Sequence, residues 1–204
     1  MNMGRKRIAS FGVYLLYAVV AMAGEGDQPE IYYRNDFETK CDLVFWTNAI
    51  FRNCLIANNN HYGIKVLQAP APIIDSCVIV SNQVGGLISG TGTGTNINCI
   101  IYYNGPNGTN NFSGSANSSN LLYSCVGPGP TNGTVGIVTN EPLFVDMAAG
   151  NYHLSANSPC VNAGSNQDWM SNSVDLDDRQ RIRYGIVDMG AYEVIYNGTI
   201  YTIP

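Results

Sequence analysis

Between Leu43 and Asn140 the chain carries three charged side chains, Arg52, Lys65 and Asp75, and one histidine, His61. Hydrolysis of a glycosidic bond takes two carboxyl groups about 5 to 10 Å apart, and a stretch with one carboxylate cannot supply the pair. β-Elimination from a uronide takes a base and a cation that neutralises the sugar carboxylate. His61, Lys65 and Arg52 are the set that could do this, because His61 and Lys65 fall within one repeat. The run Asn58-Asn59-Asn60-His61-Tyr62 reads equally well as a backbone corner. A second group, Asp175, Asp177, Asp178, Asp188 and Glu193 with Arg179, Arg181 and Arg183, is the densest charge in the chain. Asp175, Asp177 and Asp178 could ring a calcium ion, although the glycine and distal glutamate of an EF-hand loop are missing. The alternative is a set of Arg–carboxylate pairs that fastens the terminal segment. Trp46, Tyr62, Tyr102, Tyr103 and Tyr123 could offer ring faces to sugars, or fill the interior. No glycine-rich phosphate loop, nucleophile elbow or His-based zinc motif occurs, and no small-molecule cofactor is expected.

What must position these residues is a repeat. Asn53-Cys54-Leu55-Ile56, Ser76-Cys77-Val78-Ile79, Asn98-Cys99-Ile100-Ile101 and Ser124-Cys125-Val126 place cysteines 23, 22 and 26 residues apart. Five residues after the first three come Asn59, Asn82 and Asn104. A period in the low twenties marks stacked coils. Each repeat offers two or three strands of three to five residues, too closely spaced for helical crossovers. Each strand is therefore expected to pair with its equivalent one period later, as an all-β, right-handed parallel β-helix of about five short coils. Cys54, Cys77, Cys99 and Cys125 would stack as one interior ladder, and Asn59, Asn82 and Asn104 as another that exchanges amide hydrogen bonds. Residues 104–120 hold almost no core material and are expected to project as a loop, with a second loop at 127–134.

The composition agrees: 45% of the 204 residues are hydrophobic, only 12% are charged, and there are 22 glycines. Arg5, Lys6 and Arg7, the apolar run from Ile8 to Val20, and Ala21-Met22-Ala23 read as a secretory signal over residues 1–23. That segment carries three basic groups and no acidic one, so its removal takes the net charge from −5 to −8. Such an acidic surface argues against nucleic acid as a partner. Export makes six cysteines a candidate disulfide framework; the repeat register offers unpaired stacking instead. Cys41 and Cys160 lie outside the repeat and could pair with ladder members, a connectivity that spacing leaves open.

From Glu141 the texture changes. Glu141-Pro142-Leu143-Phe144-Val145-Asp146, Tyr152-His153-Leu154, Ser158-Pro159-Cys160-Val161-Asn162-Ala163-Gly164, Asp175-Leu176-Asp177-Asp178-Arg179 and Asp188-Met189-Gly190-Ala191-Tyr192-Glu193 follow in order. The series resembles the C-terminal segment of bacterial secreted and surface proteins of the choice-of-anchor Q type, with β-helix repeats of the pectate-lyase-like superfamily. Cys160 stands where that pattern usually has alanine, and Asp178-Arg179-Gln180 replaces Gly-Asn-Pro. Family members are generally longer, so the chain reads as a short version. The resemblance implies β-helix repeats over 24–146 and an associated module over 147–204. It also implies a secreted or cell-surface protein that contacts glycans or adheres without catalysis, the alternative being a polysaccharide lyase or hydrolase.

Overall fold

The computed structural model describes residues 43–45, 50–66, 72–89, 94–114, 121–127 and 135–195. The signal segment, the strand expected at Ile31–Tyr33, Cys41, Trp46 and the loop over 128–134 lie outside the described residues.

Fourteen short strands are described: β1 (Leu43–Phe45), β2 (Ile50–Arg52), β3 (Leu55–Ala57), β4 (Tyr62–Val66), β5 (Ile73–Asp75), β6 (Val78–Val80), β7 (Gly85–Ser89), β8 (Asn96–Ile97), β9 (Ile100–Tyr102), β10 (Phe112–Gly114), β11 (Leu121–Leu122), β12 (Cys125–Gly127), β13 (Phe144–Asp146) and β14 (Asn151–Leu154). The first twelve form three parallel sheets, ordered β1-β4-β7-β10, β2-β5-β8-β11 and β3-β6-β9-β12. Every third strand therefore stacks on its equivalent, which makes a parallel β-helix. Three full coils are flanked by β1 and by β11-β12, and bridges from Leu122 to Val135 and Cys125 to Val138 begin a further turn. The expected architecture is the observed one.

Two left-handed corners per coil explain the polar residue before each of the first three ladder cysteines. Asn53, Ser76 and Asn98 have φ of 51°, 53° and 56°, and Asn58, Ser81 and Tyr103, each just before a ladder asparagine, have 59°, 57° and 57°. Asparagine is among the residues that tolerate this region best. Beyond the second corner, Asn59 donates its backbone N–H and its amide to Asn82 Oδ1 at 3.1 and 2.7 Å. Asn82 repeats this toward Asn104 Oδ1 at 3.0 and 2.8 Å, and also donates to the Ile56 carbonyl at 3.1 Å. Asn104 in turn donates its N–H and its amide to Asn111 Oδ1 at 2.8 and 3.0 Å.

Asn111 corrects the loop expected over 104–120. It is buried, β10 pairs with β7, and Phe112 packs against the interior. Residues 105–110 leave the coil path before the chain returns at Asn111, and residues 115–120 of the expected loop lie outside the described residues. Asn111, seven residues after Asn104, thus supplies the rung that the glycine-proline run after Cys125 lacks.

Cys125 is a second correction. β12 pairs with β9 so that Cys125 faces Ile100, not Cys99. The corner residue of this coil is Tyr123 (φ 43°), one position earlier than the motif suggests. Ser124 therefore takes the cysteine's place and its Oγ accepts from the Cys99 N–H at 3.0 Å. The interior ladder is Cys54, Cys77, Cys99 and then Ser124. The Cys77 and Cys99 thiols donate to the carbonyls of Asp75 and Ile97 at 3.3 and 3.2 Å. Burial, followed by the neighbouring cysteines, pushes both thiols well up, so they behave as small apolar fillers.

Cys54, Ile56, Cys77, Ile79, Cys99, Ile101 and Val126 fill the coil interior with Phe51, Ile64, Ile74 and Leu87. The alternate residues Leu55, Ala57, Val78, Val80, Ile100 and Cys125 point outward from the β3-β6-β9-β12 sheet, yet are also buried. Tyr152, Leu154, Cys160, Met189 and Ala191 of the C-terminal module cover them. The antiparallel pair β13-β14 lies at the start of this C-terminal region. Coil corners tie it down: Asn53 Nδ2 donates to Val174 O at 2.9 Å, Asn58 Nδ2 to Tyr152 Oη at 3.0 Å, and Asn98 exchanges two bonds with Ser165.

Asn82→Ala strands a buried amide N–H and the buried Ile56 carbonyl, so it is expected to cost about 3 kcal/mol or more. Gln83→Ala, on the exposed neighbour, is expected to stay within about 0.5 kcal/mol. Urea unfolding of the two variants checks this, and equal losses would remove the ladder's role.

Candidate functional site

The structure divides the elimination set. Lys65 belongs to β4 of the first sheet and His61 lies just before that strand; Lys65 Nζ sits 5.4 Å from the Tyr62 ring centroid and His61 packs edge-on to Tyr62 at 4.9 Å. A Cβ on Gly85 would come within 2.9 Å of the Tyr62 ring, so the glycine seats the ring against the sheet. Arg52 is in the second sheet, opposite Asp75 in register, with its guanidinium 4.7 Å from the centroid of the Trp169 ring. It is not brought to His61 and Lys65.

Asp75 is a fastener. Its Oδ2 accepts from Trp169 Nε1 at 2.7 Å, and its Oδ1 accepts from Ser76 Oγ at 2.9 Å and Asn98 Nδ2 at 3.2 Å. Burial pushes its carboxyl up, opposed by these bonds and by Arg52. Trp169 comes from a 3-10 helix, Asp168–Asn172, and so pins the module to the second sheet.

Three of the four described aromatic candidates are packing residues. Tyr102 and Tyr103 meet edge to face at 4.6 Å, and both flank the second core with Tyr123. Burial, with Glu141 beside it, pushes the Tyr103 hydroxyl up to about 12. Tyr62 alone of these four sits outside that core, half-exposed on the first sheet.

The acidic group is brought together only in part, and as a latch. Asp175 Oδ1 accepts backbone N–H bonds from Asp177 and Arg179 at 2.8 and 2.9 Å, and Oδ2 accepts from Glu193 at 2.7 Å. Asp188 accepts from Asn162 and Val194, both at 2.7 Å. Arg181, fully buried, reaches Glu193 Oε1 at 3.2 Å, while its Nε and Nη1 have no hydrogen-bond partner. Burial pushes Glu193 up to about 8, Arg181 opposing it and the Asp188 and Asp175 charges adding to it. The proposed calcium set is not assembled: Asp175 is spent on backbone donors, Asp177 turns to Arg179 and His153, and Asp178 is exposed in a left-handed turn at φ 66°. Among the described residues no group of three or more His, Cys, Asp or Glu side chains is placed to hold a metal ion.

The sequence reading missed the concavity beside this latch. A groove of about 460 Å³ is lined by Asn151, His153, Ser155, Arg179, Tyr192 and Ile195, among others. His153 lies against the Tyr192 ring with centroids 4.2 Å apart, its Nε2 2.6 Å from Asp177 Oδ2 and its Nδ1 2.5 Å from Asn151 Oδ1. Arg179 Nη1 donates to the same Asp177 oxygen and to the Glu193 carbonyl, each at 3.0 Å. With both ring nitrogens engaged, the groove offers aromatic, amide, hydroxyl and guanidinium groups and no uncommitted base. The Tyr-His-Leu and Ala-Tyr-Glu phrases were the available signal, since both supply lining residues. Compared with known proteins, the chain matches no family model, no curated protein and no solved structure.

Because the folded Glu193 carboxyl titrates near 8 against an ordinary 4.5, the folded state holds a proton that the unfolded state has released. Its stabilisation is complete below about pH 4.5 and is lost as pH rises through about 8. The thermal midpoint is expected to fall across that window, and Glu193→Gln to flatten the slope. A midpoint that rises there, or an unchanged slope in the variant, contradicts the assignment.

Proposed function

We propose that this chain is an exported β-helix protein that contacts glycans without cleaving them, and that the contact is made in the groove beside β14. The observation that carries the reading is the groove itself: Tyr192 and His153 form an aromatic wall beside the Asn151 amide, the Ser155 hydroxyl and the Arg179 guanidinium. Its volume lies within the usual range for ligand sites of roughly 300 to 1,000 Å³. Ring faces suit the C–H faces of sugars, and amide and guanidinium groups suit their hydroxyls and carboxylates. The ordered C-terminal phrases that resemble choice-of-anchor Q proteins, together with the basic and apolar N-terminal segment, support a role outside the cell.

The lyase reading draws on His61, Lys65 and Arg52, and the separation of Arg52 from the other two weighs against it. The hydrolase reading needs two facing carboxyl groups. Of the carboxyl groups at or beside the groove, Glu193 is buried against Arg181, and Asp177, outside the lining, is held by His153 and Arg179.

Titration with a panel of neutral and uronic oligosaccharides tests the proposal. Tyr192→Ala and Asn151→Ala are expected to weaken binding about tenfold, or about 1.4 kcal/mol. Tyr62→Ala, on the first sheet, is expected to leave affinity unchanged. The reverse pattern moves the contact to the sheet face, and absence of binding across the panel removes it. Unsaturated product from a polyuronide, followed by ultraviolet absorbance, would replace the non-catalytic reading with the lyase one.

A further inference from the structure

The register shift at β12 has a chemical consequence. By facing Ile100, Cys125 leaves the interior ladder and enters the core between coils and module, where Cys160 is also fully buried. The Cys125 thiol donates to the Asn140 carbonyl at 3.3 Å, and the Met189 and Gly190 N–H groups, bonded to the Cys160 and Asn98 carbonyls at 3.0 and 2.6 Å, bring Cys160 to the coil that carries Ile100, the register partner of Cys125. Tyr102 packs against the same core. Cys160 is held in place: its N–H donates to Ser158 Oγ at 3.1 Å, and its carbonyl accepts from the Met189 N–H at 3.0 Å.

We propose that Cys125 and Cys160 form a disulfide that locks the C-terminal module onto the last coil. Two thiols lose two protons and two electrons as the S–S bond forms, and a disulfide-bearing exchange partner takes the electrons and becomes two thiols. Because both sulfurs are shielded in the folded chain, the bond forms as the module docks and is afterwards protected from exchange. The 34 residues between the two cysteines give a loop long enough for closure to restrict the unfolded chain substantially. Cys54, Cys77 and Cys99 are placed differently. They stack one per coil in the interior, where the Cys77 and Cys99 thiols donate to the carbonyls of Asp75 and Ile97 at 3.3 and 3.2 Å.

The full chain, reduced and unfolded, is refolded in a mixed oxidised and reduced glutathione buffer, then denatured, alkylated and digested. The buffer supplies the oxidant, so the outcome does not depend on export or on glycan binding. One cross-linked peptide containing Cys125 and Cys160, two hydrogens lighter than its reduced form, is expected, with Cys54, Cys77 and Cys99 alkylated. Reduction is expected to lower the thermal midpoint by several degrees, and Cys125→Ser, Cys160→Ser and the double variant to show the same loss. Alkylation of both residues, a bridge from either to Cys41 or to a ladder cysteine, or a cross-link whose reduction leaves the midpoint unchanged would each overturn the proposal.

Discussion

The β3-β6-β9-β12 sheet is apolar on both faces, and the rest of the molecule follows from the need to cover its outer one. Its inner row closes the coil interior with Cys54, Ile56, Cys77, Ile79, Cys99 and Ile101. Its outer row, Leu55, Val78, Ile100 and Cys125, would otherwise meet water. Burying a side chain of the Leu, Val or Ile kind contributes roughly 1.5 to 3 kcal/mol, so the cover is a substantial part of the fold's stability. A module of little regular structure can supply it because the coil corners give it fixed attachment points. The left-handed corners at Asn53, Asn58 and Asn98 turn the backbone and also hold Val174, Tyr152 and Ser165.

Charge is used in the same way. Asp175 and Asp188 spend their oxygens on backbone N–H groups of the module, and Asp75 holds the Trp169 indole. Unmet backbone donors are costly when buried, and a carboxylate that accepts several of them replaces the hydrogen bonds a regular ladder would make. The cost appears as raised pKa values at Asp75, Asp188 and Glu193. An acidic cluster that looks like a cation site in one dimension is therefore a latch in three. The groove lies at the rim of this latch, where His153, Arg179 and Tyr192 come away from the core.

Much of the coil was legible in the sequence because a stacked repeat writes its period directly into the chain. The cysteine spacing and the asparagine five residues on predict which strands pair and which amides exchange hydrogen bonds. The misplacement of Cys125 has a specific cause. Ser124-Cys125-Val126 matches the repeat phrase, but side chains alternate between faces, so a corner displaced by one residue, at Tyr123, sends the thiol to the opposite face. The 26-residue interval was the only hint. Asn111 escaped notice because its rung is filled after an insertion, out of period. The near-continuous apolar runs Cys54-Leu55-Ile56 and Cys77-Val78-Ile79 did carry the second buried face, since an exposed outer face would alternate with polar residues.

By itself, then, the sequence determined the coils: local corner preferences and a repeated inward pattern act over one period, and each copy reinforces the next. Tertiary structure alone decided what the C-terminal third does with its charges, which aromatics are buried, and where the groove forms. Those outcomes depend on contacts between residues 50–127 and 143–194, far apart in the chain and without a repeating signal. Asp75 meeting Trp169, and Cys125 meeting Cys160, are set by how one apolar sheet face is covered, and no spacing along the chain encodes that.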